Sequence, residues 1–511
     1  MSFLKDYPQL QIIRDIARRR KVEVHLVGGF LRDYMTAADH VGSAALNPAR
    51  FRDFDFAVEK GALDFARLFA RRVKGAYVVL DEERGCARVV HRISKRNSVR
   101  SRQKSEISGG SKKAKQIWTF DFADFRARDF QKDLTLRDFT INTLSADLAE
   151  LDSSTMLEDV LMDGKGGLKD LRAKRIHRVS VKAFRDDPLR LLRAFSLSAI
   201  LDFKIDPQTL TQIRREKNLL RGVSYERIRD EIFKILETDR AAVTLKAMDK
   251  AGLLDKVIPQ VKVMYHCAQK GTYHHLDVWP HSLEVVAQFD GVVREMQNNA
   301  DVVEYLNEPL GGNRTRRALL KLAALLHDIG KPETRKEAGK GKLTFYGHER
   351  VGKNIVTHIA RMLKLSTGER HALEDMVLWH LRPGYLSNFQ KPSEKSIYRY
   401  LRDTKKEAVG ILLLSLADQR STRGPTSTPR HEKHHARICL NLLKLYFDKK
   451  KEKPFARLID GHDLIRRLRL KPSPLFAKIL TEVTEQQVLG KIKTRKEALE
   501  LGKKIAGEIR S

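Results

Sequence analysis

Over the first 150 residues the apolar positions fall into short runs, several of them strictly alternating with polar ones. VEVHLVGG (22–29), FDFAVE (54–59), AYVVLD (76–81), ARVVHRI (87–93) and WTFDFADF (118–125) are rich in β-branched and aromatic residues and predict strands. Between them ALDFARLFARRV (62–73) repeats its apolar positions with the helical period. Beyond about residue 150 the strand signal fades. Helical spacing takes over in PLRLLRAFSLSAIL, ERIRDEIFKILE, VTLKAMDKAGLL, RALLKLAALLHDI and AVGILLLSLADQ. The pattern predicts an α+β chain, a sheet-containing head on a long helical body.

Two segments break the pattern. Residues 92–117 carry nine Lys/Arg against one Glu and the pair Gly109–Gly110, which reads as a solvated hairpin insertion or an RNA-binding arm. Residues 420–436, RSTRGPTSTPRHEKHHA, read as a linker before a last helical stretch. That stretch is basic, with 20 Lys/Arg against 10 Asp/Glu over 431–511.

Charge sharpens the picture. The 511 residues hold 98 Lys/Arg and 65 Asp/Glu, a formal net charge of +33, while 41% of residues are hydrophobic. The length suggests three or four domains, the apolar content excludes wholesale disorder, and the charge points to a polyanionic partner such as nucleic acid. Nothing approaches the ~20 consecutive apolar residues of a membrane span. The amphipathic start, MSFLKDYPQLQIIRDIARRRK, has no signal-peptide apolar run. Cys86, Cys267 and Cys439 form no CxxC, so neither a disulfide framework nor a thiolate zinc site is supported. The expectation is a cytoplasmic protein with no membrane partner.

Candidate chemistry begins at LVGGFLRDYM (26–35), a strand run, two glycines and a helix start. Glycines there let backbone N–H groups approach a phosphate at a helix N-terminus. RDFDFAVE (52–59) follows. Side chains alternate along a strand, so Asp53 and Asp55 project from one face, where two carboxylates repel unless a cation lies between them. Magnesium suits such oxygen ligands together with substrate phosphates. A third carboxylate from an adjacent strand is Asp121 or, on the opposite parity, Asp124.

These residues resemble the class II tRNA nucleotidyltransferase and bacterial poly(A) polymerase family. LVGGFLRD with RDFDFAV is similar to its first motif, LRDFTINTLSAD (136–147) to its ribose-contacting motif, and DGKGGLKDL (163–171) to its head–neck hinge. RDDPLRLLRAFSL (185–197) resembles the nucleotide-selecting helix, SYERIRDEIFKIL (224–236) the next neck motif, and residues 458–499 the RNA-binding tail. The resemblance implies a nucleotidyltransferase-type mixed-sheet head over 1–150, a helical neck over 151–240, an HD-type helical domain over 241–425 and a basic RNA-binding tail over 426–511. It implies Mg2+ at Asp53 and Asp55, with Asp121 as the third catalytic carboxylate. Gly28, Gly29 and Arg32 would take the triphosphate; Arg137, Asp138 and Asn142 would lie near the ribose. Asp187 and Arg190, three apart and expected on one helical face, would read the base: a carboxylate accepts from the amino group of C or A, and a wrong base leaves buried polar groups unpaired at ~1–3 kcal/mol.

The body holds a histidine-rich series: His274, His275, His281, His327–Asp328, His348, His380 and Asp418. The order of His281, His327, Asp328 and Asp418 resembles the HD phosphohydrolase superfamily, and imidazoles with carboxylates suit a second divalent metal.

The expected activity is addition of CMP, or of CMP and AMP, from CTP and ATP to the tRNA 3′ end, with the acceptor stem as partner. Only ARDFQKDLT separates FDFADFR from LRDFTIN, where many members of the family carry a long loop associated with switching from C to A addition. That points towards CC addition. The rival readings are a poly(A) polymerase, and an HD phosphohydrolase whose head only binds RNA or nucleotide.

Overall fold

The structure, a computed structural model, describes residues 3–41, 51–93, 116–152, 155–269, 275–338, 342–422, 428–452 and 456–508. Most of the basic 92–117 segment, and His274, lie outside the described residues. The chain forms two compact units, Met1–Val223 and Ser224–Ser511, so a neck spanning 151–240 would straddle their boundary.

The first unit is built on a seven-stranded sheet: β1 Val24–Val27, β2 Asp53–Val58, β3 Ala76–Asp81, β4 Cys86–Ile93, β5 Gln116–Asp124, β6 Ser145–Asp147 and β7 Leu161–Met162. Their spatial order is β3-β4-β5-β2-β1-β6-β7. β2 and β5 run parallel and every other neighbouring pair is antiparallel, so the sheet is mixed. Each predicted strand of the head is present. The sheet also continues past residue 150 into β7, whose two residues are too few to show a period.

Alternation sorts β2 and β5 into two faces. Phe54 stacks on Phe120 at 5.1 Å between ring centroids and Phe56 on Phe122 at 4.9 Å. Phe65 and Phe69 of the predicted helix, observed as Ala62–Val73, complete that core. The aspartates therefore take the opposite face.

The second unit is helical. Ala408–Ser421 is buried on nearly all sides and carries Asp418 near its end. Residues 456–508 pack around their own core of Ile459, Leu464, Leu470, Ile479 and Val483. The linker reading of 420–436 needs correction, because helix Pro429–Lys451 begins inside it. Thr428 caps that helix by accepting from the His431 amide, and Pro429 occupies its first turn, both ordinary helix-start chemistry. Among the described residues no helix is long and apolar enough to cross a membrane.

Candidate active site

The first site is assembled by strand register. β1 opposes β2 with Val27 beside Asp55. β2 and β5 are aligned so that Asp53 neighbours Thr119 and Asp55 neighbours Asp121. All three predicted carboxylates thus share one face, with Asp53 and Asp55 exposed. Asp124 belongs to the other face, where its carboxylate accepts from the Ala62 amide at 2.7 Å.

Where β1 turns into helix Gly29–Val41, Gly28 has φ +80° and a Cβ there would stand 3.4 Å from Asp55 Oδ2. A side chain at this position would be strained and would crowd the carboxylate. Arg137 reaches the same spot, 3.8 Å from that Cβ position. Dense surroundings first, and then the charge of Asp121, push the Asp55 carboxyl up to about 6, against the pull of Arg137 and Arg193. Such a group favours gaining a cation.

Two partners were not foreseen from the sequence. Arg88, opposite Asp121 across the β4–β5 pair, grips it with Nε and Nη2, each at 2.7 Å. Thr119 donates its hydroxyl to Asp53.

The ribose-motif residues form a buried relay. Arg32 donates to Asn142 Oδ1 at 2.8 Å, Asn142 donates to Asp138 Oδ1 at 3.0 Å, and Arg193 Nε reaches Asp138 Oδ2 at 2.5 Å. Burial alone would raise the Asp138 carboxyl, but Arg193, Asn142 and the Phe139 amide outweigh it and hold it at about 2. A carboxyl held below its unfolded value of ~3.9 stabilises the fold above that pH and loses the contribution as pH falls towards 2. Asp138→Asn is therefore expected to cost about 1–2 kcal/mol at pH 7. In urea unfolding, its difference from wild type should shrink steadily between pH 4 and pH 2.

The base-reading pair needs correction. Asp187 and Arg190 do not share a helical face: one helix ends at Asp186, the next starts at Arg190, and Asp187 between them is extended (φ −148°, ψ 101°). The cause is Pro188, which disfavours helical backbone in the residue before it. Arg190 is buried and donates to the carbonyls of Leu136, Arg137 and Ala183 at 2.6, 3.3 and 3.1 Å, bracketing the ribose motif to this segment. Arg193, one turn on, bonds Asp138 while its side chain stays 39% exposed, so it is the guanidinium of this helix nearer to solvent.

The hinge motif is also stapled. Asp163 accepts from the amides of Gly167 and Leu168 at 2.6 and 3.0 Å, and Asp170 from Thr140 and Arg175 at 2.6 and 2.7 Å.

The second site gathers six side chains from separate segments of the helical unit. His281, His327 and Asp418 form one potential metal-holding group and Asp328, His348 and His380 another. Asp328 lies between them. Its Oδ2 is 3.2 Å from His327 Nε2 and 3.7 Å from His281 Nε2, and its Oδ1 is 3.3 and 3.8 Å from the Nε2 atoms of His348 and His380. His281 Nε2 also meets Asp418 Oδ1 at 3.0 Å. His348 and His380, noted in the sequence but not assigned as ligands, thus join the four that were.

The outward nitrogens explain the arrangement. His327, His348 and His380 each place Nδ1 2.7–2.9 Å from the carbonyl three residues earlier. A carbonyl can only accept, so each Nδ1 carries a proton, and in the neutral rings that bind a metal each Nε2 would present its lone pair inward. Lone pairs of His348 and His380 facing each other at 3.3 Å call for a cation between them.

Comparison with known proteins bears on both sites. The family model "Poly A polymerase head domain" matches residues 24–177 and the model "HD domain" matches 278–423. Further models, for a polymerase RNA-binding region and a second tRNA nucleotidyltransferase domain, match 202–264 and 450–501. The chain belongs to the tRNA nucleotidyltransferase and poly(A) polymerase family, with an HD domain. It is a template-independent RNA nucleotidyltransferase, of a family that generally uses divalent metal. It is 29% identical to the A-adding tRNA nucleotidyltransferase of Deinococcus radiodurans, over 93% of each chain. It is 27% identical to the CC-adding tRNA nucleotidyltransferase of Synechocystis sp., over 94% of this chain and 93% of that one. The solved structure "CCA-adding enzyme apo form I" shares the fold with a TM-score of 0.59 at 19% identity, covering 96% of this chain and 92% of that one. In this nucleotidyltransferase the head match contains the three carboxylates and, of the relay, Arg32, Asp138 and Asn142, and the HD match contains all six ligand candidates.

Proposed function

We propose that the protein adds CMP from CTP to the 3′ end of tRNA and stops after CC. The observation that carries the transferase site is the placing of Asp53, Asp55 and Asp121 on one sheet face beside the Gly28 turn. Asp53 and Asp55 would hold Mg2+, which acidifies a 3′-hydroxyl and neutralises a departing pyrophosphate. The 3′-oxygen joins the α-phosphorus as the bond to pyrophosphate breaks. Gly28 leaves room for a phosphate beside Asp55, Arg137 adds positive charge there, and Arg88 holds Asp121 in register with Asp55. Through the relay, Asp138 and Asn142 position Arg193 and Arg32, and Asp187 stands at the helix entrance where a base would be read.

Restriction to CC rests on the span after β5. It closes at once: Asp129 caps helix Phe130–Thr135, and Asp133 accepts from the Arg126 amide at 3.0 Å and pairs with Arg137 at 3.3 Å. That leaves no long loop there. The Synechocystis relative bears a CC-adding name, the Deinococcus relative an A-adding one. Transcripts of tRNA lacking all three terminal nucleotides, the last two or only the last, supplied with CTP or ATP separately, decide the matter. CTP should extend the first two and ATP none; extension of the third by ATP overturns the assignment, and a long A tail would make the protein a poly(A) polymerase.

A second activity is favoured by the three inward-facing Nε2 atoms around Asp328. We infer a binuclear divalent-metal centre that hydrolyses phosphate esters, held by His281, His327, Asp328, His348, His380 and Asp418. Hydrolysis adds water across a P–O bond, its hydroxyl going to phosphorus and its proton to the leaving sugar oxygen.

A further inference from the structure

Beside Gln419 and Thr422 lies a groove of about 1060 Å³ lined by none of the residues assigned above to nucleotide transfer. One wall is the first half of helix Pro429–Lys451, where Arg430, Lys433, His434 and Arg437 recur at i, i+3, i+4 and i+7 and so share a face. At 1.5 Å per residue, Arg430 and Arg437 stand roughly 10 Å apart along the axis, room for more than one phosphate. Phe389 also lines the groove, with 62% of its surface exposed. Among the described residues, none that lines the groove is Asp or Glu. Neither Arg430 nor Lys433 forms an ion pair among the described residues.

Residues that line the groove adjoin, in the chain, the most exposed member of the centre. The side chains of His281, His327, Asp328 and His380 are at most 2% exposed, whereas that of Asp418 is 26% exposed. Gln419 and Thr422, which line the groove, follow Asp418 in the chain, and the Thr422 hydroxyl donates to the Asp418 carbonyl at 2.9 Å. A cationic, acid-free wall attracts a polyanion, and an exposed aromatic ring stacks an unpaired base. An acidic protein segment would use the charges but not the ring.

We propose that this groove binds the single-stranded end of an RNA and delivers its terminal phosphate to the binuclear centre, an inference that rests on the phosphohydrolase reading of that centre. Three arginine and lysine contacts on a single strand predict a salt dependence of binding that flattens by about 2 in log–log slope when all three are lost, at ~0.7 per phosphate.

The test uses the full-length protein, a short 3′-phosphorylated RNA whose last base is 4-thiouridine, and p-nitrophenyl phosphate as a substrate too small to use the groove. Irradiation should crosslink the RNA to peptides containing Phe389 or residues 430–437. In the triple variant R430E/K433E/R437E that crosslink should vanish, and kcat/KM for phosphate release from the RNA should fall at least ~30-fold, about 2 kcal/mol. Turnover of the small ester should stay within about twofold, since it needs only the centre. Phe389→Ala, an exposed position, should weaken RNA binding without touching the small ester. Crosslinks that map elsewhere, equal loss on both substrates, or competition by polyglutamate as strong as by unlabelled RNA would each overturn the proposal. A wild type that hydrolyses neither substrate would overturn the phosphohydrolase reading alone, and the crosslink map would still decide the groove.

Discussion

Asp55→Asn is expected to lower nucleotide addition by a factor of a thousand or more while leaving the fold intact. A metal ion in such a site supplies several kcal/mol of charge stabilisation in the transition state, and about 4 kcal/mol corresponds to roughly that factor. The same substitution should slightly raise the melting temperature near pH 8. The carboxyl pKa is raised to about 6 by dense surroundings and by Asp121, so its ionised form is disfavoured in the folded chain. The sign follows from linkage: a carboxyl whose folded pKa lies above the unfolded value weakens the fold once pH exceeds both. Activity and stability therefore move in opposite directions, which a structural role for Asp55 would not produce. Product ladders on tRNA read the first effect and thermal unfolding at pH 5 and pH 8 the second. Retained addition would sink the proposed transferase site.

Asp328→Asn is expected to empty the second site. With one oxygen facing each half of the cluster, this carboxylate is the single group common to both. Its loss should weaken divalent-metal binding at least ~100-fold, beyond the 10–100-fold typical of partners that only orient ligands. Metal content by mass spectrometry should fall, and phosphatase activity with it. Nucleotide addition should survive, because the three transferase carboxylates belong to the other compact unit. Asn is preferred to Ala because Lys331 Nζ lies 2.6 Å from Asp328 Oδ2, and Asn keeps an oxygen to which that buried ammonium, held also by Gln269, can donate. His380→Gln, which removes a ligand while keeping Asp328, should reproduce the metal loss. Unchanged metal content in both variants would show that the inward-facing nitrogens do not bind a cation.

Much of this was readable along the chain. The two-residue period of β2 and β5 is local, so it separated Phe54, Phe56, Phe120 and Phe122 from Asp53, Asp55 and Asp121 without any knowledge of the fold. The glycine turn, the helix over 62–73 and the series of histidines are local in the same sense. Even the break between Asp187 and Arg190 was written in the sequence, because Pro188 disfavours the continuous helix that a bare i,i+3 spacing suggests. The start of helix Pro429–Lys451 was likewise encoded in Thr428 and Pro429, masked by a polar composition that resembles a linker.

What the sequence determined by itself is therefore which face of each strand and helix a residue occupies, since backbone geometry repeats every two or 3.6 residues regardless of what lies beyond. Only the tertiary structure decided which faces meet: that β5 aligns with β2 to bring Asp121 beside Asp55, that Arg88 grips Asp121 across β4, that Arg190 braces backbone while Arg193 stays at the surface, and that Asp328 turns one oxygen to each pair of histidines. Those pairings depend on how buried apolar surfaces fit together over separations that reach 66 residues between Asp55 and Asp121, and no local period carries that information.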